Sequence, residues 1–205
     1  MLNDYLKNKK VVLVGPAAYL HNSKKMNFID SFDVVVRLNN GYNISEERIQ
    51  DLGSRTDVLY HCFWGPHFPQ SIPFLTYPNI EPFSTDLTKF NLVNQNRVPF
   101  EVYDLELYLK LFNLLNSRPN TGTCAIYDLI NSQIKSLHVC GITMFKGGYI
   151  KGYRKTHVFN SRKEVELENN IHKNHDIGNQ IKFLKNIFKD ERVTLDKEVR
   201  DSIYE

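Results

Sequence analysis

Short, uninterrupted apolar runs separated by helix-like stretches limit this chain more than any other feature. Val11-Val12-Leu13-Val14 stops at Gly15, Val34-Val35-Val36 runs on to Leu38, and residues 56–62 read Thr-Asp-Val-Leu-Tyr-His-Cys. A continuous apolar run, unlike an alternating one, marks a strand covered on both faces. Between and after these runs the spacing turns helical. Residues 45–53 form a helix that Ser45 caps and Gly53 stops. Residues 102–117 form a strongly periodic amphipathic helix, and a helix at about 122–133 and a strand at about 136–141 follow. Residues 175–188 carry apolar side chains at 177, 181, 184 and 188, one helical face. Residues 16–30 read as a loop with a short helix, and 161–174 as polar and helical in part. The last segment, 194–205, is expected to be an exposed helix capped by Thr194. The stretch 64–100 holds Pro66, Pro69, Pro73, Pro78, Pro82 and Pro99, which argues against regular helix there. Within it, Ile72 to Pro78 is a candidate strand. Strands alternating with helices imply an α/β fold with a mainly parallel sheet, and such sheets bind ligands at the carboxyl ends of their strands. Three loops should therefore meet: after Val14, after Leu38, and before the helix near Gly122.

The totals agree with one soluble domain over residues 1–205. Of 205 residues, 41% are hydrophobic and 24% charged. A formal net charge of +3 is too weak to indicate a nucleic-acid partner and is compatible with an anionic small ligand. No apolar run is long enough for a membrane span, and the four apolar residues after Lys9-Lys10 are too few for a signal peptide. Cys62, Cys124 and Cys140 show no metal-binding spacing. They imply reduced thiols in a cytoplasmic setting, with Cys124 and Cys140 as packing residues.

The chemistry-bearing candidates follow from the loops. Asn120-Thr121-Gly122-Thr123 opens a helix. Glycine lets a ligand approach the backbone, and amide groups at a helix start attract phosphate; capping by Asn120 or Thr121 is the competing reading. Gly15-Pro16-Ala17-Ala18 has a single glycine and matches neither a dinucleotide nor a Walker loop. Asn39, with Arg37, ends a strand and can both donate and accept, as nucleobase and ribose recognition require, or simply make a turn before Gly41. Arg55 and Asp57 can pair. Among His21, His61, His67, His138, His157, His172 and His175, His138 reads as structural. His172 and His175 lack the partners of a zinc site. His157 follows a basic loop, and His175 immediately precedes a helix. No Asp-x-Asp triplet is present for a metal-held nucleotide sugar. Trp64, Phe68, Phe74 and Tyr149 suit either a sugar platform or the core.

In this order the pieces resemble the sialylmotifs of the animal-type sialyltransferases, glycosyltransferase family 29. Residues 11–41 with 51–61 look like the long motif: a strand, Gly-x-x-x-x-Leu, Ile-Asp-x-x-Asp-x-Val-x-Arg-x-Asn, then Gly-x-Arg-Thr-Asp. Residues 118–145 look like the short motif, His157 falls at the histidine of the third, and His175 to Gln180 resembles the very short motif, His-x-x-x-x-Glu. The resemblance implies a Rossmann-like, GT-A-variant fold. It also implies transfer of sialic acid, or a related 3-deoxy-ulosonic acid, from a CMP-sugar donor to a glycan acceptor. The route would be inverting and metal-independent, with no cofactor beyond the donor. His175 would be the general base, since an imidazole with a pKa of about 6.5 suits a hydroxyl proton at neutral pH. His157 and the backbone of Asn120, Thr121, Gly122 and Thr123 would stabilise the departing phosphate. Asn39 and the Gly15, Ala17 and Ala18 loop would hold the nucleotide.

The chain also departs from the family pattern. The first loop lacks the family's asparagine, and Gln180 stands where the very short motif has glutamate. Val11 replaces the first cysteine of the family's linking disulfide, and residues 129–133 lack the second. Together with a missing amino-terminal anchor, this fits folding in a reducing compartment. Rival readings are a nucleotide-sugar transferase with another donor, a reductase, or a non-catalytic nucleotide- or glycan-binding module.

Overall fold

The computed structural model describes residues 2–62, 74–77, 100–153, 161–172 and 175–205. Their strands form one sheet, all parallel: β1 (Lys10–Val14), β2 (Val34–Leu38), β3 (Val58–Tyr60), β4 (Phe74–Tyr77), β5 (Phe100–Val102), β6 (Ser136–Cys140) and β7 (Val193–Leu195). The spatial order is β5-β4-β3-β2-β1-β6-β7. The helices are α1 (Leu2–Leu6), α2 (Met26–Asp30), α3 (Glu46–Leu52), α4 (Leu105–Leu115), α5 (Thr121–Asn131), α6 (Arg162–His172), α7 (Ile177–Ile187) and α8 (Lys197–Tyr204). The α/β, mainly parallel reading holds, and the candidate strand at 72–78 is β4.

Both faces of the sheet are covered, which is why its central strands are continuous apolar runs. Val11 and Leu13 of β1 face the core shared with Leu111, Ile126, Leu129 and Leu184, while Val12 and Val14 face Leu20, Ile29 and Leu52. Burying each such side chain contributes about 1.5–3 kcal/mol. Arg37, the polar interruption of β2, is 1% exposed. Its guanidinium donates to the carbonyls of Leu52 (2.6 Å) and Arg55 (2.8 Å) and to Thr56 Oγ1 (3.1 Å), so it braces the α3–β3 turn from inside.

The strand order turns back at β1. Strands β2 to β5 build outward on one side, and β6 and β7 on the other, so the topological switch point lies between β1 and β6. Two glycines meet there. Gly15 N–H donates to Cys140 O (2.8 Å), and Ala17 N–H to Gly141 O (3.0 Å). A Cβ on Gly15 would lie 2.3 Å from Gly141 O, and one on Gly141 would lie 2.3 Å from Gly15 O. Only glycine lets these two strand ends come so close.

Several elements differ from the sequence expectation. Strand β5 takes Val102 from the expected helix, which begins only at Leu105 after Asp104 caps it through Leu107 N–H (3.0 Å). Thr194 does not cap the last helix: it lies in β7, three residues of strand, and the cap position belongs to Asp196. That helix is not simply exposed, since Val199 and Ile203 are 0% and 1% exposed. The other elements lie within a few residues of expectation, with Ser45 and Gly53 flanking α3 as read.

Candidate functional site

The start of α5 is a worked piece of polar geometry. Asn120 is the cap residue, and its Oδ1 accepts Thr123 N–H at 2.8 Å. Capping and anion binding are compatible, because the first-turn amides of Thr121 and Gly122 have no carbonyl one turn earlier in the helix. A Cβ at Gly122 would meet Asn120 Oδ1 at 3.3 Å and Leu38 Cδ1 at 3.4 Å. The glycine therefore lets the cap and the end of β2 close over the helix start, as well as keeping the backbone approachable.

The three loops do meet. Asn39, in a left-handed conformation at φ 46°, follows β2 directly. Its Nδ2 donates to Thr121 Oγ1 (3.4 Å) and its Oδ1 accepts Cys62 N–H (2.9 Å). Ile142, just past β6, reaches both Gly15 and Gly122. The Gly15 loop offers shape more than donors. Ala17 N–H and Ala18 N–H are committed to Gly141 O (3.0 Å) and Gly148 O (3.1 Å), and Ala17 also bridges to Tyr149. A shallow cleft lies beside it, lined by Gly15, Pro16, Asn40, Arg48 and Tyr153. Tyr149 is half-buried, its ring 5.1 Å from that of Tyr153.

His175 stands at the same end of the sheet. Its Nδ1 lies 2.7 Å from Arg118 O. A carbonyl only accepts, so Nδ1 carries the proton, and in the neutral ring the lone pair resides on Nε2. Neighbouring bonds fix this histidine's backbone. Asp176 N–H donates to Ser117 Oγ (3.2 Å), and Asn179 Nδ2 to Leu115 O (3.2 Å). Asp176 caps α7 through Asn179 N–H (2.8 Å). One turn on, Gln180 is 0% exposed, and its Oε1 accepts both Asn120 N–H (3.0 Å) and Thr123 Oγ–H (2.7 Å). The α7 helix that follows His175 is thus bolted to the start of α5. Among the described residues Gln180 Nε2 has no hydrogen-bond partner. A buried donor left so costs roughly 1–3 kcal/mol. His157, Trp64 and Phe68 lie outside the described residues, as does the side chain of Phe74.

The loop after β6 closes the site from the other side. Met144 and Phe145 both have positive φ, 46° and 67°. Arg162 holds this strained turn by donating to Met144 O (2.9 Å) and Thr143 O (3.1 Å), and it reaches Ser202 O (3.1 Å) as well. Met144 Sδ lies 3.9 Å from Asn120 Nδ2. Sequence spacing did not reveal Arg162, because a basic residue opening a polar helix looks like an ordinary surface residue.

Two further polar groups are structural. Asp196 joins β7 to the first loop, accepting from Tyr19 OH (2.7 Å), Lys25 Nζ (2.9 Å) and His138 Nε2 (3.1 Å). Burial pushes its carboxyl up, but the bonds from His138, Lys25 and Tyr19 outweigh that and hold it at about 2. His138 is accordingly a structural residue, as its apolar strand suggests. Under α5, Asp128 accepts from Tyr60 OH at 2.5 Å, and burial pushes the carboxyl up to about 6. Arg55 and Asp57 pair at 2.7 Å, and Cys124 and Cys140 are buried.

The model of glycosyltransferase family 29 (sialyltransferase) matches residues 3–127, more than half of the chain. No curated protein matches at the sequence level. The fold is similar to a mammalian sialyltransferase in complex with Gal-beta-1-3GalNAc-ortho-nitrophenol, at 17% identity and TM-score 0.61, covering 95% of this chain and 71% of that one. It is also similar to the sialyltransferase CstII from Campylobacter jejuni in complex with cytidine-5'-monophosphate, at 15% identity and TM-score 0.56, covering 92% and 79%. Among the described residues no helix is long and apolar enough to cross a membrane.

Proposed function

Because the chain belongs to glycosyltransferase family 29, the sialyltransferases, we propose that it transfers sialic acid or a related 3-deoxy-ulosonic acid from a CMP-sugar to a hydroxyl of a glycan acceptor. The observation that carries this reading is the His175 Nδ1–Arg118 O bond at 2.7 Å, which ties the imidazole to the chain two residues ahead of the α5 cap, a helix start suited to phosphate. The family match ends before His175, so the base assignment rests on this geometry and on the motif position. The CMP bound by the Campylobacter jejuni neighbour supports cytidylate as the nucleotide.

In this reading the acceptor oxygen attacks the anomeric carbon on the face opposite CMP. Its proton passes to His175 Nε2 as the new C–O bond forms. The bond from the anomeric carbon to the phosphate oxygen breaks, and its electron pair leaves with CMP, so the anomeric configuration inverts. First-turn amides of α5 and His157 receive the growing phosphate charge, the task a divalent ion performs in other transferases. Asn39 and the Gly15–Ala18 loop border the nucleoside. The sparse cysteines favour a reducing, cytoplasmic setting.

The direct test is thermal stabilisation by CMP against UMP, GMP and AMP. A shift with CMP well above the other three is expected, since a ligand that binds only the folded state raises its melting temperature. Equal shifts with all four, or turnover of a UDP- or GDP-sugar, would overturn the donor assignment.

A further inference from the structure

The very short motif carries glutamine where the family pattern has glutamate, and the surroundings of Gln180 give that difference a physical meaning. Both groups that approach it from α5 are donors: the Asn120 amide at 3.0 Å and the Thr123 hydroxyl at 2.7 Å. The amide can only donate, so the orientation of the glutamine side chain is fixed, with Oε1 towards α5. A carboxylate would accept the same two bonds, and would bind them more strongly as an ion at a helix start. It would also have no donor to leave unmatched, whereas Gln180 Nε2 is buried without a partner among the described residues. By hydrogen bonding alone, glutamine is the poorer choice. What it contributes that glutamate cannot is the absence of charge directly beneath the α5 start.

We infer that Gln180 is an affinity-determining residue: as a neutral tie it secures α7 to α5 while leaving the positive potential of the α5 start undiminished for the phosphate of the nucleotide. The inference rests on the cytidylate reading above, and it adds a residue that acts on the phosphate through the helix rather than by touching it. A fixed negative charge against the α5 start, screened only weakly at a fully buried position, opposes binding of an anion there and leaves a neutral nucleoside almost untouched.

The experiment measures CMP and cytidine affinity by calorimetry on the full chain. For Q180E, CMP affinity is expected to fall on the order of tenfold or more relative to cytidine. For Q180M, which removes the hydrogen bonds without adding charge, the melting temperature is expected to fall while the CMP-to-cytidine ratio stays within about twofold. N120D places a carboxylate at the same helix start on a residue that caps equally well; it should reproduce the selective loss of CMP even where Q180E does not fold. A wild type that prefers CMP, combined with an unchanged ratio in Q180E or N120D, overturns the inference alone. An equal change of ratio in Q180M also overturns it, by reducing the residue to a structural tie. A wild type that binds cytidine as tightly as CMP overturns the phosphate reading itself.

Discussion

At His175 the position of one proton decides what the residue can do. The Arg118 carbonyl fixes the tautomer, with the proton on Nδ1 and Nε2 as the basic nitrogen. Replacing it with glutamine keeps a polar side chain beside Arg118 and removes the basic nitrogen. Transfer by His175→Gln is expected to fall by about 10²–10⁴-fold, with thermal stabilisation by CMP preserved. A donor-hydrolysis and transfer assay beside a melting scan checks both halves, and unchanged turnover would remove His175 as the base. Asn120 bears on stability as well as on the site. Its cap bond to Thr123 N–H is 2.8 Å, and Asn120→Ala is expected to destabilise the chain by about 1 kcal/mol in denaturant titration.

At the scale of elements, the contact that holds the site's loops together is the pair of glycines at the switch point. Gly141 combines φ 71° with a Cβ position 2.3 Å from Gly15 O. Gly147 has φ 80° but open space around its Cβ position. Gly147→Ala is therefore expected to cost only the left-handed strain, about 1–2 kcal/mol. Gly141→Ala should exceed about 4 kcal/mol and yield little folded protein. Comparable melting temperatures for the two variants would show that the strand ends can separate freely. Strands of this kind were legible in advance because burial on both faces leaves an unbroken apolar run, as in β1 and β2. Strands β5 and β7 were not, because three-residue edge strands such as Val193–Leu195, one residue of it exposed, carry too few apolar positions to stand out. In the candidate site, the meeting of Asn39 with the α5 start, and of His175 with the segment just before it, was legible from motif order. Arg162 and the bonds of Gln180 were not, since they depend on contacts between segments about 20 to 60 residues apart.

Over the whole molecule, two buried groups set opposing pH dependences in the same range. Burial pushes Asp128 up to about 6, above its ordinary unfolded value of about 3.9. Its contribution to stability is full below about pH 4 and is lost as pH rises through 6, about 2–3 kcal/mol in all. Burial also pushes His61 down to about 4, below the ordinary imidazole value of about 6.5. There the folded state binds the proton less well than the unfolded one, so stability is full above about pH 6.5 and is lost as pH falls through 4, by about 3 kcal/mol. The two nearly cancel between pH 4 and 6.5, and the wild type is expected to show an almost level melting temperature there. Asp128→Asn keeps an acceptor for Tyr60 OH and removes the falling component, so its melting temperature should climb with pH by roughly 6–12 °C across that range. His61→Gln should do the reverse and fall by a similar amount. Below pH 4 both variants and the wild type should lose stability together as the Asp196 carboxyl, held at about 2 by its three donors, becomes protonated. Differential scanning calorimetry in matched buffers reads all three profiles, and parallel curves for the wild type and Asp128→Asn between pH 4 and 6.5 would dismiss the buried carboxyl as a titrating group.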